Sequence, residues 1–434
     1  MTDPHDNAGA PAVCLDVGSC WTKAVLVHPD GTLAGFAEHP TTGADVLEGI
    51  DAAVAGVAAS SGRSASAPDV LACSSAGGSL RLAVVGVERL AAVEAAHQVC
   101  RSAGARVVHV HAGPLEGGAV RELRSNRPGV VLLIGGSDGD DPEVFLHNAS
   151  RIARARGRYP VVLAGNSSAR DDALGLLRST GRSVTACPNV VPRPGEIVPE
   201  PARAAVAELY SRHVLGVGTG AVEPRFRRMV RTRTPVAVSE GVAALAVAVG
   251  TGVAVVDVGS ATTDVHSAFP DAAADRLATV EGDLGVRSSA SGILVEAQTE
   301  GIVDPVEADL LAPAVETLVT SGSSVPTDRG SAAEDRRLAA VAAVVALRRH
   351  LRRLHAGRER VGLIVLTGGV FRQRDRAALT AVAETVRRDP GVMELAGDAE
   401  VRVDSGSVLA PAGLLATHGR AAAAATLLRD HLLG

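Results

Sequence analysis

Two short stretches decide how this chain reads: Leu15-Asp16-Val17-Gly18-Ser19-Cys20-Trp21-Thr22-Lys23 near its start, and Val256-Asp257-Val258-Gly259-Ser260-Ala261-Thr262-Thr263-Asp264 past its middle. Each follows an apolar, β-branched run and leads into a second, the pattern of strand, tight turn and strand. In each, glycine lets backbone N–H groups approach phosphate oxygens, and the strand-end carboxylate is placed to hold a hydrated Mg2+. A lone Asp-x-Gly is more often a hairpin with an incidental acid. The pair says more, because both aspartates close apolar strands and both glycines precede a serine. Two such turns facing one another would clamp a polyphosphate.

Outward from the first turn, AVCLDVGSCWTKAVLVHPDGTLAGFAEHP predicts three antiparallel strands, the last two joined by a Pro-Asp-Gly turn. From Leu80 the pattern changes. Strands at about Leu82–Val87, Val107–His111, Val130–Ile134, Val161–Leu163 and Ser183–Thr185 alternate with helices at about Ala91–Ser102, Pro142–Ala155 and Ala169–Thr180. Continuous apolar strands in βαβ spacing imply a buried parallel sheet covered on both faces. The Pro-rich NVVPRPGEIVPEPAR then marks a change of unit. Beyond it come a small-residue helix at Pro235–Val249, the strand Gly252–Val258, a flexible SGSSVPTDRGSAAED and a helix at Arg336–Leu354. The strand-turn GLIVLTGGVF and a helix at Val408–Thr417 follow. The expected organisation is a disordered tail at 1–10 and a first lobe at 11–235 that contains an α/β unit at about 81–190. A second lobe with its two flanking helices occupies 236–418, and a C-terminal helix 419–434.

Composition bounds the function. The 434 residues are 46% hydrophobic and 21% charged, so the chain has ample apolar surface for a large core. Aromatics make up 2%, too few for stacking bases, and 43 basic against 48 acidic residues leave a net charge of −5 without a basic footprint. No nucleic-acid partner is expected. Five widely spaced cysteines form no CxxC or Cys/His pair, which points to a reduced setting without zinc or an iron–sulfur cluster. The apolar run Val242–Val256 is broken by Gly250-Thr251-Gly252 and is too short to span a bilayer. The polar N-terminus has no signal-peptide core, so a cytoplasmic protein without a membrane partner is expected.

A third turn completes the pattern. Leu366-Thr367-Gly368-Gly369-Val370 ends a strand in two glycines, where the absence of Cβ would let an adenosine lie against the backbone. In this order the three turns resemble the phosphate-1, phosphate-2 and adenosine motifs of the actin-like ATPase superfamily, which includes actin, sugar kinases and the heat-shock chaperone ATPases. The resemblance implies an α/β, two-lobed, ribonuclease H-like fold with the extra α/β unit in the first lobe. It assigns Asp16, Gly18, Ser19 and Cys20 to phosphate-1, Asp257, Gly259, Ser260, Ala261, Thr262 and Thr263 to phosphate-2, and Gly368 and Gly369 to adenosine, with Asp16 and Asp257 holding Mg2+. It also makes Pro235–Ala248, with Gly241, and Val408–Ala416, with Gly413, the two small-residue helices that cross between lobes.

A narrower resemblance rests on SSAGGSLRLAVVGV, VVLLIGGSDGDDPEVFLHNA, PVVLAGN, VDVGSATTDVHS and EGDLGVR. These phrases are similar to MutL-type proteins encoded beside coenzyme-B12-dependent glutamate mutase genes, a family unrelated to the mismatch-repair proteins of similar name. That likeness implies a chaperone-like ATPase that assists or reactivates an adenosylcobalamin-dependent mutase. Two departures stand out: Ser260-Ala261 replaces further glycine, which should narrow the approach to the γ-phosphate, and Cys20-Trp21 occupies a place often filled by small hydroxyl or aromatic residues.

Other residues have competing readings. By resemblance Glu240, at the opening of the first crossing helix, orients a magnesium water; otherwise it is a helix-start acid in the helix dipole. Lys23 reaches a phosphate or is a sheet-edge lysine. In Glu281-Gly282-Asp283-Leu284-Gly285-Val286-Arg287, Asp283 or Arg287 touches nucleotide or couples the lobes, against a helix cap. Gly135–Asp141 follows a buried strand, but its acidity favours a solvated or protein-contact loop over a phosphate site. His109 and His111 have metal spacing without a third ligand and read as packing. The reading is an ATPase with Asp257 and Glu240 as catalytic residues. Its rivals are a small-molecule kinase of the same superfamily and a nucleotide-gated scaffold with negligible hydrolysis.

Overall fold

The computed structural model describes residues 10–41, 46–60, 68–75, 79–100, 103–157, 159–213, 224–270, 276–321, 326, 328–354, 360–372 and 375–433. The expected tail, apart from Ala10, lies outside them. The chain forms two compact units, a larger one from 1–78, 214–279 and 284–434 and a smaller one from 79–213 and 280–283.

The larger unit contains one architecture twice. Its first sheet holds β1 (Ala12–Val17), β2 (Trp21–Val27), β3 (Leu33–Pro40), β4 (Asp69–Ser74) and β10 (Val230–Arg233) in the order β3-β2-β1-β4-β10. Its second holds β11 (Gly252–Val258), β12 (Thr263–Ala268), β13 (Leu277–Glu281), β14 (Val361–Thr367) and β15 (Glu400–Val403) in the order β13-β12-β11-β14-β15. In both, the opening strand pairs antiparallel with the second and parallel with the fourth, and the fourth pairs parallel with the fifth. Duplicated sheets with helices packed between them are the two-lobed, ribonuclease H-like arrangement of actin-like ATPases.

The helices between the sheets follow from small residues. The first, Thr234–Val249, has Pro235 in its opening turn and ends at Gly250, whose φ of 68° supplies the left-handed cap. The second is Leu409–Thr417. A Cβ on Gly241 would overlap the Leu409 carbonyl, and one on Gly413 the Ala237 carbonyl, so these two glycines set the closest approach of the backbones. One apolar core joins Ala12 and Val25 of the first sheet, Val253, Val255 and Leu363 of the second, and Val242, Leu245, Leu414 and Leu415 of the helices. The C-terminal helix Ala421–Leu428 adds Ala424, Leu427 and Leu428 to this core.

One helix is longer than expected. The arginine-rich helix spans Arg329–Leu351, because the Asp328 side chain accepts the N–H groups of Gly330 and Ser331 and starts it inside the segment read as flexible. Residues 322–325 and 327 of that segment lie outside the described residues.

In the smaller unit, β5 (Leu80–Gly86), β6 (Ala105–Ala112), β7 (Val130–Leu133), β8 (Val161–Leu163) and β9 (Val184–Ala186) form a wholly parallel sheet in the order β6-β5-β7-β8-β9. Its chain leaves the first sheet after β4 and returns before β10. Among the described residues, no helix is long and apolar enough to cross a membrane.

Candidate functional site

The two Asp-Val-Gly-Ser turns close identically. The Gly18 N–H donates to the Trp21 carbonyl at 2.9 Å, and the Gly259 N–H donates to the Thr262 carbonyl at 2.9 Å. A Cβ on Gly18 would lie 2.8 Å from the Trp21 oxygen, too close for the closure to stay as it is, and one on Gly259 would make a tight contact of 3.0 Å with the Thr262 oxygen. Thr22 and Thr263 occupy matching buried positions: Thr22 Oγ1 lies 3.0 Å from Thr41 Oγ1, and Thr263 Oγ1 donates to the Leu284 carbonyl at 2.7 Å. The second turn is braced further, since the Ser260 carbonyl accepts from Arg287 N at 2.9 Å and the Ala261 carbonyl from Ser289 Oγ at 3.0 Å. Ala261 is only 7% exposed and packs on Gly285, so its methyl adds little to the open side of the turn. Ser19, Cys20 and Ser260 stay partly exposed.

Register then assembles the charges. Asp16 pairs with Lys23 and Lys23 with Glu38 across β1, β2 and β3, and Asp257 pairs with Asp264 on one side and Thr367 on the other. The Asp16 carboxylate accepts from Thr234 Oγ1 at 2.6 Å through one oxygen and from Lys23 Nζ at 3.4 Å through the other. Lys23 stands on an interior strand, not at a sheet edge. Burial pulls its ammonium down, but Asp16 and Asp257 outweigh that and hold its pKa above the usual lysine value. Burial pushes the Asp257 carboxyl up to about 6; Asp16 and Asp404 add to the effect and Lys23 opposes it.

Carboxylates therefore outweigh cations at this point. The carboxylates of Asp16 and Asp257 fit Mg2+, which keeps several waters and is commonly bound through one or two carboxylates plus substrate phosphates.

The third turn abuts the second. Gly368 has φ 124°, and a Cβ there would overlap the Val258 carbonyl, next to Gly259. A Cβ on Gly369 would meet nothing within 4 Å, so this residue faces open space. Behind the turn, Thr367 Oγ1 donates to the fully buried Asp404 at 3.0 Å, and the same carboxylate accepts the Val408 N–H at 3.0 Å, just before the second crossing helix. Burial pushes the Asp404 carboxyl up, against the opposing pull of those two donors.

Sequence reading missed Thr234, Asp404, Arg372 and Glu38. Threonine before Pro235 and aspartate shortly before a helix are recognisable polar starts, but nothing local says that they meet the site. Glu240 is not at a helix opening. The helix begins at Thr234, and Glu240, well inside it, is paired with Arg276 at 2.5 Å. The Arg287 guanidinium forms a buried pair with Asp335 at 2.7 Å. Gly135–Asp141 is held by a bond of its own, Ser137 N donating to Asp140 at 2.9 Å, and by Asn189, which donates to Asp138 at 3.0 Å. His109 and His111 stack with ring centroids 6.4 Å apart.

A family model described as MutL protein matches residues 12–432, across all three turns, both crossing helices and the smaller unit. The chain belongs to the MutL protein family. Protein MutL of Clostridium tetanomorphum is 32% identical over 298 residues, covering 64% of this chain and 64% of the relative, so the match spans less than two thirds of that protein. Among solved structures, a ROK family glucokinase from Streptomyces griseus in complex with glucose and AMPPNP is 12% identical, with 97% of this chain and 99% of that one covered and a TM-score of 0.35. Component A of the (R)-2-hydroxyglutaryl-CoA dehydratase of Acidaminococcus fermentans is 11% identical, with 96% of both chains covered and a TM-score of 0.30. Likenesses that distant carry no argument about function. For this MutL-family chain, the site rests on its own geometry.

Proposed function

We propose that this chain binds MgATP at the three turns and couples ATP turnover to a conformational change that assists or reactivates an adenosylcobalamin-dependent mutase of the glutamate mutase type. The observation that carries the nucleotide reading is the pair of identically closed turns whose aspartates, Asp16 and Asp257, both act on Lys23. The mutase enters from family resemblance. In this reading Gly18 and Gly259 close the turns, and the N–H groups of Ser19 and Cys20 and of Ser260–Thr262 between the closing bonds cradle phosphates, with Lys23 between them. Asp16 and Asp257 hold Mg2+ through its waters, and Gly368-Gly369 seats the nucleoside. Bound Mg2+ would neutralise charge on the phosphoryl oxygens. Thr234 holds the Asp16 carboxylate in one orientation, and the brace at 284–289 keeps the second turn rigid, so both donor sets are pre-organised.

The test is thermal stability with MgATP, MgADP and pyrimidine nucleotides, followed by recovery of an inactivated adenosylcobalamin mutase with ATP present. A ligand at 100 times its Kd adds about 2.7 kcal/mol. Adenine nucleotides should raise the melting midpoint and pyrimidine nucleotides much less. An unchanged midpoint would remove the nucleotide reading, and phosphorylation of a small acceptor would favour the kinase.

The nucleotide-gated scaffold is favoured by one observation: Glu240, the acid expected to orient water, is engaged by Arg276. Client binding that responds to ATP, without phosphate release, would select it.

A further inference from the structure

Arg372 leaves the Gly368–Phe371 turn of the second sheet, and its side chain ends on the first. Its guanidinium lies 3.6 Å from the centroid of the Phe36 ring and forms an ion pair with Glu38. Phe36 and Glu38 are two residues apart on β3 and so project from the same face of the strand. Glu38 is the cross-strand partner of Lys23, which is itself the partner of Asp16, so the contact extends the charged row of the phosphate-1 turn. The Arg372 side chain is 13% exposed and Glu38 40%. Burial pulls the guanidinium down while Glu38 and Asp404 support its charge. One side chain thus ties β3, the strand next to the phosphate-1 charges of β1 and β2, to the turn seated against the phosphate-2 strand. Separating the two sheets at this edge must break an ion pair and a cation–π contact together.

We propose that Arg372, Glu38 and Phe36 form a latch that holds the two lobes of the larger unit closed at the nucleotide site, so that its release controls nucleotide exchange. This rests on the nucleotide reading above. The latch is local and reversible, and it offers a partner protein a lever: any contact that draws β3 away from Arg372 would accelerate exchange without touching the phosphate turns.

The test uses the full chain with Glu38→Gln, which removes the charge, and Phe36→Leu, which keeps apolar bulk but removes the ring face. Two measurements are made: stopped-flow release of a fluorescent ADP analogue, and amide hydrogen exchange of the nucleotide-free protein. Losing one half of a part-buried cation contact should speed release about 5–10-fold. In the nucleotide-free protein, exchange should rise in both 33–40 and 368–372 for either variant, with other strands unchanged. Combined in one chain with Arg372→Ala, neither substitution should add a further effect, since the shared partner is already gone. Unchanged or slower release, or exchange that rises in β3 alone, would overturn the latch. If the wild type binds no ADP analogue, the nucleotide reading fails, and hydrogen exchange still decides whether the latch exists.

Discussion

Asp257→Asn should make the nucleotide-free protein more stable and the turnover slower. The Asp257 carboxyl, ordinarily near 3.8, is pushed up to about 6, first by burial and then by Asp16 and Asp404. A carboxyl raised in this way binds its proton more tightly in the folded than in the unfolded chain, so stability falls as pH rises from 3.8 to 6. At about 1.36 kcal/mol for each tenfold change in proton affinity, the ionised group costs the fold up to about 3 kcal/mol above pH 6. Asparagine removes that cost. The stability gap between variant and wild type, followed by denaturant unfolding monitored on the larger unit, should be near zero at pH 4 and reach about 1–3 kcal/mol by pH 7.5. Saturating MgATP should narrow the gap, because the carboxylate then has a cation to face. Phosphate release should meanwhile fall about 10²–10³-fold, the usual loss when one preorganised electrostatic contact is removed. An asparagine variant that is less stable at pH 7.5, or whose stability gap ignores pH, would refute the claim that carboxylates crowd this site. Hydrolysis at the wild-type rate would make Asp257 a structural turn residue.

Gly413→Ala should destabilise the larger unit by about 1–3 kcal/mol or more in a melting experiment, since its methyl would strike the Ala237 carbonyl and push the crossing helices apart; an unchanged midpoint would mean that the helices separate freely. His266 and His350 are held neutral by burial, at about 4 and about 3. Because the unfolded chain takes up protons below about 6.5 and the folded chain resists, stability should fall with acid by about 1.4 kcal/mol per histidine per pH unit, and His350→Gln should remove its share of the slope. Urea unfolding at pH 7 and 5.5 measures this, and equal slopes would contradict it. Cys20 is partly exposed in the first turn, whereas Cys14, Cys73 and Cys100 are buried and burial pushes the Cys14 thiol up to about 12. Alkylation followed by mass spectrometry should therefore modify Cys20 before those three, with protection by MgADP; equal labelling with and without saturating nucleotide would place the nucleotide elsewhere.

The turns were legible because their chemistry is local. Gly18 and Gly259 each make a hydrogen bond that closes within four residues, and the aspartates precede them by two, so a reading window of nine residues contains the whole device. The small-residue helices were legible for a related reason: Gly241 and Gly413 are rare enough in apolar helices to announce a close approach. Glu240 misled because, five residues beyond Pro235 in the expected helix, it lies past the opening turn, and its partner Arg276 comes from a remote segment that no local pattern announces.

What composition, periodicity and turn chemistry determined by themselves was the repeated strand–turn–strand plan, the parallel sheet of the inserted unit and the identity of the residues at each turn. All of these depend on neighbours in the chain. Tertiary structure alone decided which charges share a site. Thr234 reaches Asp16, Asp404 collects Thr367 and Val408, and Arg372 reaches Glu38. Each contact depends on strand register or on packing between elements up to several hundred residues apart. A one-residue slip of β2 would turn Lys23 to the opposite face and part it from Asp16, because alternate side chains of a strand point to opposite sides.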